Sequence, residues 1–153
     1  MDKIGINSSH NLFLFKTSGF SMWPFLRGGQ KIIIKKVLVR DLKVGDLILY
    51  RKDNQTICHR LIKKTREGQG QMLYVRGDNA FGFEPVAEEM VLGKAVGIVK
   101  NNKTSDFTTK KQRFINRLIV IISPWVRRGT KIIKPLYNRF RKIIDFINRK
   151  NQW

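Results

Sequence analysis

The chain has 153 residues, 42% of them hydrophobic, which suits one ordinary core and excludes a wholly disordered polymer. Its net charge of +20 excludes a neutral surface and points toward an anionic partner, nucleic acid or a membrane. A single cysteine, Cys58, excludes an intramolecular disulfide and fits a reducing cytosolic face.

In chain order, the first hundred residues read as short strands divided by turn chemistry. Strands are expected at 11–16, 31–39, 47–51, 56–63, 72–76 and 91–99. Between the first two lies the bend Ser18-Gly19-Phe20-Ser21-Met22-Trp23-Pro24, closed by a turn at Arg27-Gly28-Gly29. Asp53-Asn54-Gln55 and residues 65–70 suit hairpin turns, and Gly93 and Gly97 suit bulges or close backbone approaches. Residues 101–106 are polar and read as a linker.

Beyond that linker the apolar period becomes helical. Phe114, Ile115, Leu118, Ile119 and Ile122 form one stripe, and a break is expected at Ser123-Pro124. A second stripe runs from Ile132 through Leu136, Phe140 and Ile144 to Ile147. The fold class is therefore mainly β, with a β domain over 1–106 followed by a basic amphipathic helical tail over 107–153. Residues 110–153 hold 13 of the 31 basic residues and one of the 11 acids. Residues 1–30 lack a charged start followed by an apolar stretch, so no secretory signal is expected. No run approaches the ~18 apolar residues of a spanning helix. The expected location is peripheral to a membrane, on the cytoplasmic side.

The chemistry gathers at three places: Ser21 in its Gly- and Pro-bounded bend, His59 in a strand, and Asp78 in the turn Arg76-Gly77-Asp78-Asn79. A serine hydroxyl is a weak nucleophile at neutral pH and needs a base to take its proton. A loop serine packed by Trp23 and Phe25, and a strand histidine paired with a carboxylate, are the plain structural alternatives. Cys58 adjoins His59, but successive strand residues point to opposite faces, so it reads as a small core residue. His10, His59 and Cys58 show no ligand spacing, and neither a metal nor an organic cofactor is expected.

Ser21-Met22-Trp23-Pro24 resembles the Ser-Met-x-Pro nucleophile motif of type I signal peptidases and of self-cleaving repressors of LexA type. Val44-Gly45-Asp46-Leu47-Ile48, Cys58-His59-Arg60-Leu61-Ile62 and Arg76-Gly77-Asp78-Asn79 resemble, in order, the later boxes of that group. A histidine at the base position is similar to the endoplasmic-reticulum and archaeal signal peptidases, whereas the bacterial enzymes and repressors carry lysine. Lys63 and Lys64 are fallback bases, but they stand about 13 to 16 Å further along the strand.

The resemblance implies a mainly β serine endopeptidase in which Ser21 attacks, His59 serves as base, and Asp78 or Glu84 orients His59. Both acids stay open: Asp78 lies in the Gly-Asp box, while Glu84 stands where the histidine type carries its acid, six residues later. Gly19 occupies a position where that group often has a hydroxyl donor to the oxyanion, and Ser18 is one residue earlier. Met22 and Pro24 support the bend. The implied substrate is a leader or precursor peptide, extended along a sheet edge, with small side chains before the cut. The basic tail fits an anionic membrane surface or packing on its own β domain, with nucleic acid less favoured because no helix-turn-helix precedes the β domain. The rival reading is a regulator, non-catalytic or self-cleaving, whose tail binds nucleic acid or a partner.

Overall fold

The computed structural model describes residues 6–7, 11–68, 70–80, 82–100 and 103–127. Its central strand, β4 (Leu47–Lys52), is buried on both faces, and alternation along it builds two cores. Leu47 and Leu49 enter one core with Met22, Leu26, Ile32, Ile34, Cys58 and Ala95. Ile48 and Tyr50 enter the other with Leu42, Leu61, Leu73, Val75 and Val86. The functional side chains hang from the elements between these cores.

Among the described residues the sheet has nine antiparallel strands. The others are β1 (Ile6–Asn7), β2 (Leu12–Lys16), β3 (Lys31–Lys35), β5 (Gln55–Glu67), β6 (Gly70–Arg76), β7 (Glu84–Ala87), β8 (Val91–Lys100) and β9 (Lys103–Asp106). Their order is β1-β2-β3-β8-β4-β5-β6-β7, with β9 paired to β8. The expected strands are all present, and β5 is longer than its apolar pattern indicates. Asp53 and Asn54 both have positive φ (47° and 60°), forming a two-residue hairpin loop that pairs Lys52 with Gln55. That loop sets the register, so Ile48 lies opposite His59 and Tyr50 opposite Ile57.

Two expectations are corrected. The polar stretch read as a linker is largely strand: β9 pairs Ser105 with Ile98 and Asp106 with Gly97. Polar side chains are compatible with a short strand that has one paired edge, and Phe107 then seats against Phe25 at 5.3 Å between ring centroids. The helix α1 (Lys110–Arg127) also continues through Ser123-Pro124 instead of breaking there. A proline removes one backbone donor, and the described helix carries Pro124 at the cost of one i to i−4 bond. Of the expected apolar stripe, Ile115, Leu118 and Ile119 are half-buried and Phe114 is exposed, while the polar Asn116 is buried with its backbone close to Gly45. The second apolar stripe, 132–147, lies outside the described residues. Among the described residues no helix is long and apolar enough to cross a membrane.

Candidate active site

Ser21 sits at an exposed position in a loop whose two neighbouring anchors are deeply buried, Met22 (5% exposed) and Leu26 (2%). Backbone bonds from Trp23 to Phe20 and from Leu26 to Met22 wind the segment into tight turns. Thr17 closes the loop at its base, its hydroxyl donating to the carbonyls of Arg27 and Gln30 at 2.7 and 3.1 Å. Gly19 has φ +72°, a left-handed conformation that lets the chain reverse just before the serine. The apolar side chains Met22 and Leu26 thus hold the bend while Ser21, just before them in the chain, stays exposed.

His59 projects from β5 toward that hydroxyl, with Nε2 3.2 Å from Ser21 Oγ. Its other nitrogen, Nδ1, lies 3.0 Å from the hydroxyl of Tyr50. Tyr50 donates to Glu84 Oε2 at 2.7 Å, and the Lys52 ammonium donates to Glu84 Oε1 at 2.7 Å. Glu84 Oε2 is 3.6 Å from Nδ1 itself. Tyr50 and Lys52 alternate on β4, and the hairpin register brings that face alongside His59. Burial holds the His59 pKa below its ordinary value, outweighing the upward pull of the Glu84 and Asp78 charges. Burial pushes Glu84 up, but hydrogen bonds from Lys52 and Tyr50 outweigh it and leave that carboxyl below the ordinary range.

Asp78 is engaged elsewhere. Both of its carboxylate oxygens accept from Arg60, Nε and Nη2 each donating at 2.7 Å. Arg60 is fully buried, gives its Nη1 to the carbonyl of Gly45 at 2.9 Å, and lies 4.9 Å over the ring of Phe25. The rest of the box presses on Ser21: Asn79 N–H donates to the carbonyl of Ser21 at 2.7 Å. The sequence left Asp78 and Glu84 equal, and the geometry separates them: Glu84 is near His59, and Asp78 ties the turn to the strand bearing the histidine.

Over 81 residues the chain is 32% identical to Signal peptidase I W of Bacillus subtilis (strain 168). The matched stretch spans 50% of this chain and 43% of that relative. No family model matches. The similarity to a signal peptidase I is therefore partial, and it accompanies a mainly β fold with one α-helix among the described residues.

Beside Ser21 lies a pocket of about 110 Å³. Ser18, Gly19, Ser21 and Met22 line it with Thr17, Leu26 and Ile57. Ser18 and Gly19 thus border the same pocket as Ser21. Pro24 follows Trp23 through a cis peptide on the far side of the serine. Cys58 is in the core on the opposite face from His59, and burial pushes its thiol up to about 12. Lys64 donates to the carbonyls of Val39, Arg40 and Leu42 at 3.0 to 3.2 Å, and Lys63 lies over the Tyr74 ring, so neither reaches Ser21. Sequence reading missed Tyr50 and Lys52. The two-residue turn at Asp53-Asn54 was the available signal, because counting the register back from it puts both beside His59.

Proposed function

We propose that this chain is a serine endopeptidase of the histidine-type signal peptidase kind, with Ser21 as nucleophile, His59 as general base and Glu84 as the acid behind it. The 3.2 Å separation between Nε2 and Oγ carries this reading, since it joins residues 38 positions apart. Ser21 Oγ attacks the scissile carbonyl carbon while its proton passes to His59 Nε2. The carbonyl π electrons move onto oxygen, for which the Ser21 backbone N–H is a candidate donor. As the tetrahedral species collapses, the C–N bond breaks and the amine leaves with the proton from Nε2. Water then attacks the ester with the same base, releasing the acid and restoring the serine. A His59 kept neutral by burial is ready to accept a proton at physiological pH.

The substrate in this reading is an extended leader or precursor peptide with a small residue before the cut. The adjoining pocket, about 110 Å³, is smaller than the ~150 Å³ apolar cavity that admits benzene, so it favours small side chains. The test uses wild type, Ser21→Ala and His59→Ala with a fluorophosphonate probe and with a candidate precursor. Wild type should be labelled and should cleave, and each variant should do neither. Failure of wild type to do either leaves the regulator reading ahead.

The partner surface in the same proposal is an anionic membrane. Phe114 and Ile121, seven residues apart on α1, are 64% and 63% exposed, with Lys110, Arg113 and Arg117 also exposed around them. An apolar strip framed by cations suits insertion at a lipid boundary. Sedimentation with phosphatidylserine vesicles should remove the full chain from solution, and Phe114→Ser with Ile121→Ser should weaken that. Unchanged sedimentation of the double variant would exclude this face.

A further inference from the structure

We propose that the Tyr50 hydroxyl is the positioning group through which Glu84 fixes the tautomer of His59, an inference resting on the Ser21–His59 reading above. The carboxylate is 3.6 Å from Nδ1, beyond a good hydrogen bond. The tyrosine oxygen fills that gap, 3.0 Å from Nδ1 and 2.7 Å from Glu84 Oε2. Glu84 therefore addresses the imidazole through a phenol.

Counting protons sets the direction. An ionised carboxylate only accepts, and a phenol carries one proton. Tyr50 gives that proton to Glu84 Oε2, so its oxygen accepts from Nδ1–H. Nδ1 holding the proton leaves Nε2 bare, with its lone pair toward Ser21 Oγ, which is the form a general base requires. The reverse arrangement, Tyr50 donating to Nδ1, would put hydrogen on Nε2 and block transfer from the serine. Lys52 keeps the order: its ammonium occupies Oε1, so Oε2 is the oxygen presented to Tyr50. Tyr50 is 0% exposed, and burial and then the bond to Glu84 keep its hydroxyl protonated well above the ordinary phenol range.

The chain has two histidines, so ¹⁵N imidazole spectra of the full chain at pH 8 separate His59 from His10. Wild type should show His59 protonated at Nδ1 and bare at Nε2. Tyr50→Phe removes the acceptor and should release that tautomer and slow Ser21 labelling by fluorophosphonate at least ~10-fold. Glu84→Gln keeps the tyrosine and serves even if Tyr50→Phe does not fold. Lys52 demands an acceptor, so the amide oxygen turns toward it and the NH₂ toward Tyr50. The phenol oxygen then accepts from the amide and keeps its proton, turning the O–H to donate to Nδ1, so Nδ1 becomes the acceptor and the imidazole proton sits on Nε2. Tyr50→Phe with Glu84→Gln should label no more slowly than Tyr50→Phe alone, because one acts through the other. Wild-type His59 protonated at Nε2, or a Glu84→Gln chain that keeps Nδ1–H, overturns the proposal. A wild-type chain with Nδ1–H, flipping in Glu84→Gln but never labelled at Ser21, supports the tyrosine link and sinks the peptidase reading instead.

Discussion

Gly77 lies so close to Ser21 that a Cβ on it would stand 2.7 Å from the Ser21 carbonyl oxygen and 3.1 Å from the Ser21 Cβ. The turn and the nucleophile loop are in backbone contact, and Asn79 N–H holds that same carbonyl at 2.7 Å. Gly77→Ala must therefore shift the turn and the Ser21 loop relative to each other, and we expect this to disturb the Ser21–His59 distance. Misplacement by about 1 Å can cost on the order of 100-fold in rate. We expect Gly77→Ala to fold, with a loss of ~1–3 kcal/mol from overpacking, and to lose most fluorophosphonate labelling. Labelling at the wild-type rate would show that the turn does not set the serine's position.

Asp78 and Glu84 should fail in different ways when altered. Arg60 is buried with Asp78 as its bidentate counter-ion, and removing one member of a buried pair costs ~3–5 kcal/mol. Asp78→Ala should accordingly lower the urea midpoint sharply, and activity would fall with the loss of folded chain. Glu84 is half-buried at the rim, and Glu84→Gln should leave the midpoint near wild type while slowing Ser21 labelling. Urea unfolding and labelling rates on both variants read this out. The opposite pattern, a stable but inactive Asp78→Ala, would return Asp78 to the role of orienting acid.

The pH dependence has a definite sign. The groups facing His59 are Glu84 and Asp78, which raise its pKa, with Tyr50 beside it and Lys52 behind Glu84, but burial lowers it below the ordinary ~6.5. Ser21 labelling should therefore hold steady from neutrality down past pH 6.5 and fall only as the lowered pKa is crossed. Stability moves the same way. Between the folded and unfolded values the unfolded chain binds more protons at His59, so stability drops as pH falls below ~6.5. Glu84, also depressed in the folded chain, adds a further loss as pH falls through its folded value. A labelling midpoint at or above pH 6.5 would contradict a buried neutral base.

The order of boxes made Ser21 and His59 legible, and alternation made six of the strands legible. β7 was not, because its four residues include Pro85 and Glu84 and show little β character. Proline is tolerated there since β7 is an edge strand, bonded among the described residues to β6 alone. Glu84 thus reaches the site from a strand invisible to pattern reading. Tyr50 reads in the sequence as one more strand aromatic, and only the pairing of Ile48 with His59 gives its hydroxyl a task. Asp78 was ambiguous because its partner, Arg60, is distant in the chain and a fully buried arginine is not the default for that side chain. Phe114 misled in the other direction: helical period locates a stripe, but the buried contact at Asn116 and Gly45 decides which way the helix is turned.

Cys58 adjoins the proposed base and still takes no part with it. It pairs with Leu49 across β4 and packs in the core that holds Met22, whereas His59 pairs with Ile48 on the other face. Burial raises its thiol to about 12, ahead of a smaller opposing effect from Arg60. At pH 8 that leaves a thiolate fraction on the order of one in ten thousand. Being the single cysteine of the chain, it makes a clean reporter. In native buffer Ellman's reagent should react only as fast as the fold opens, and in denaturant at the rate of a free thiol. Cys58→Ala should keep Ser21 labelling, because the mutation removes packing and no chemistry. Fast native modification would show that the thiol is reached through the pocket beside Ser21, which Cys58 also lines, and loss of labelling in Cys58→Ala would give the sulfur a part in the site.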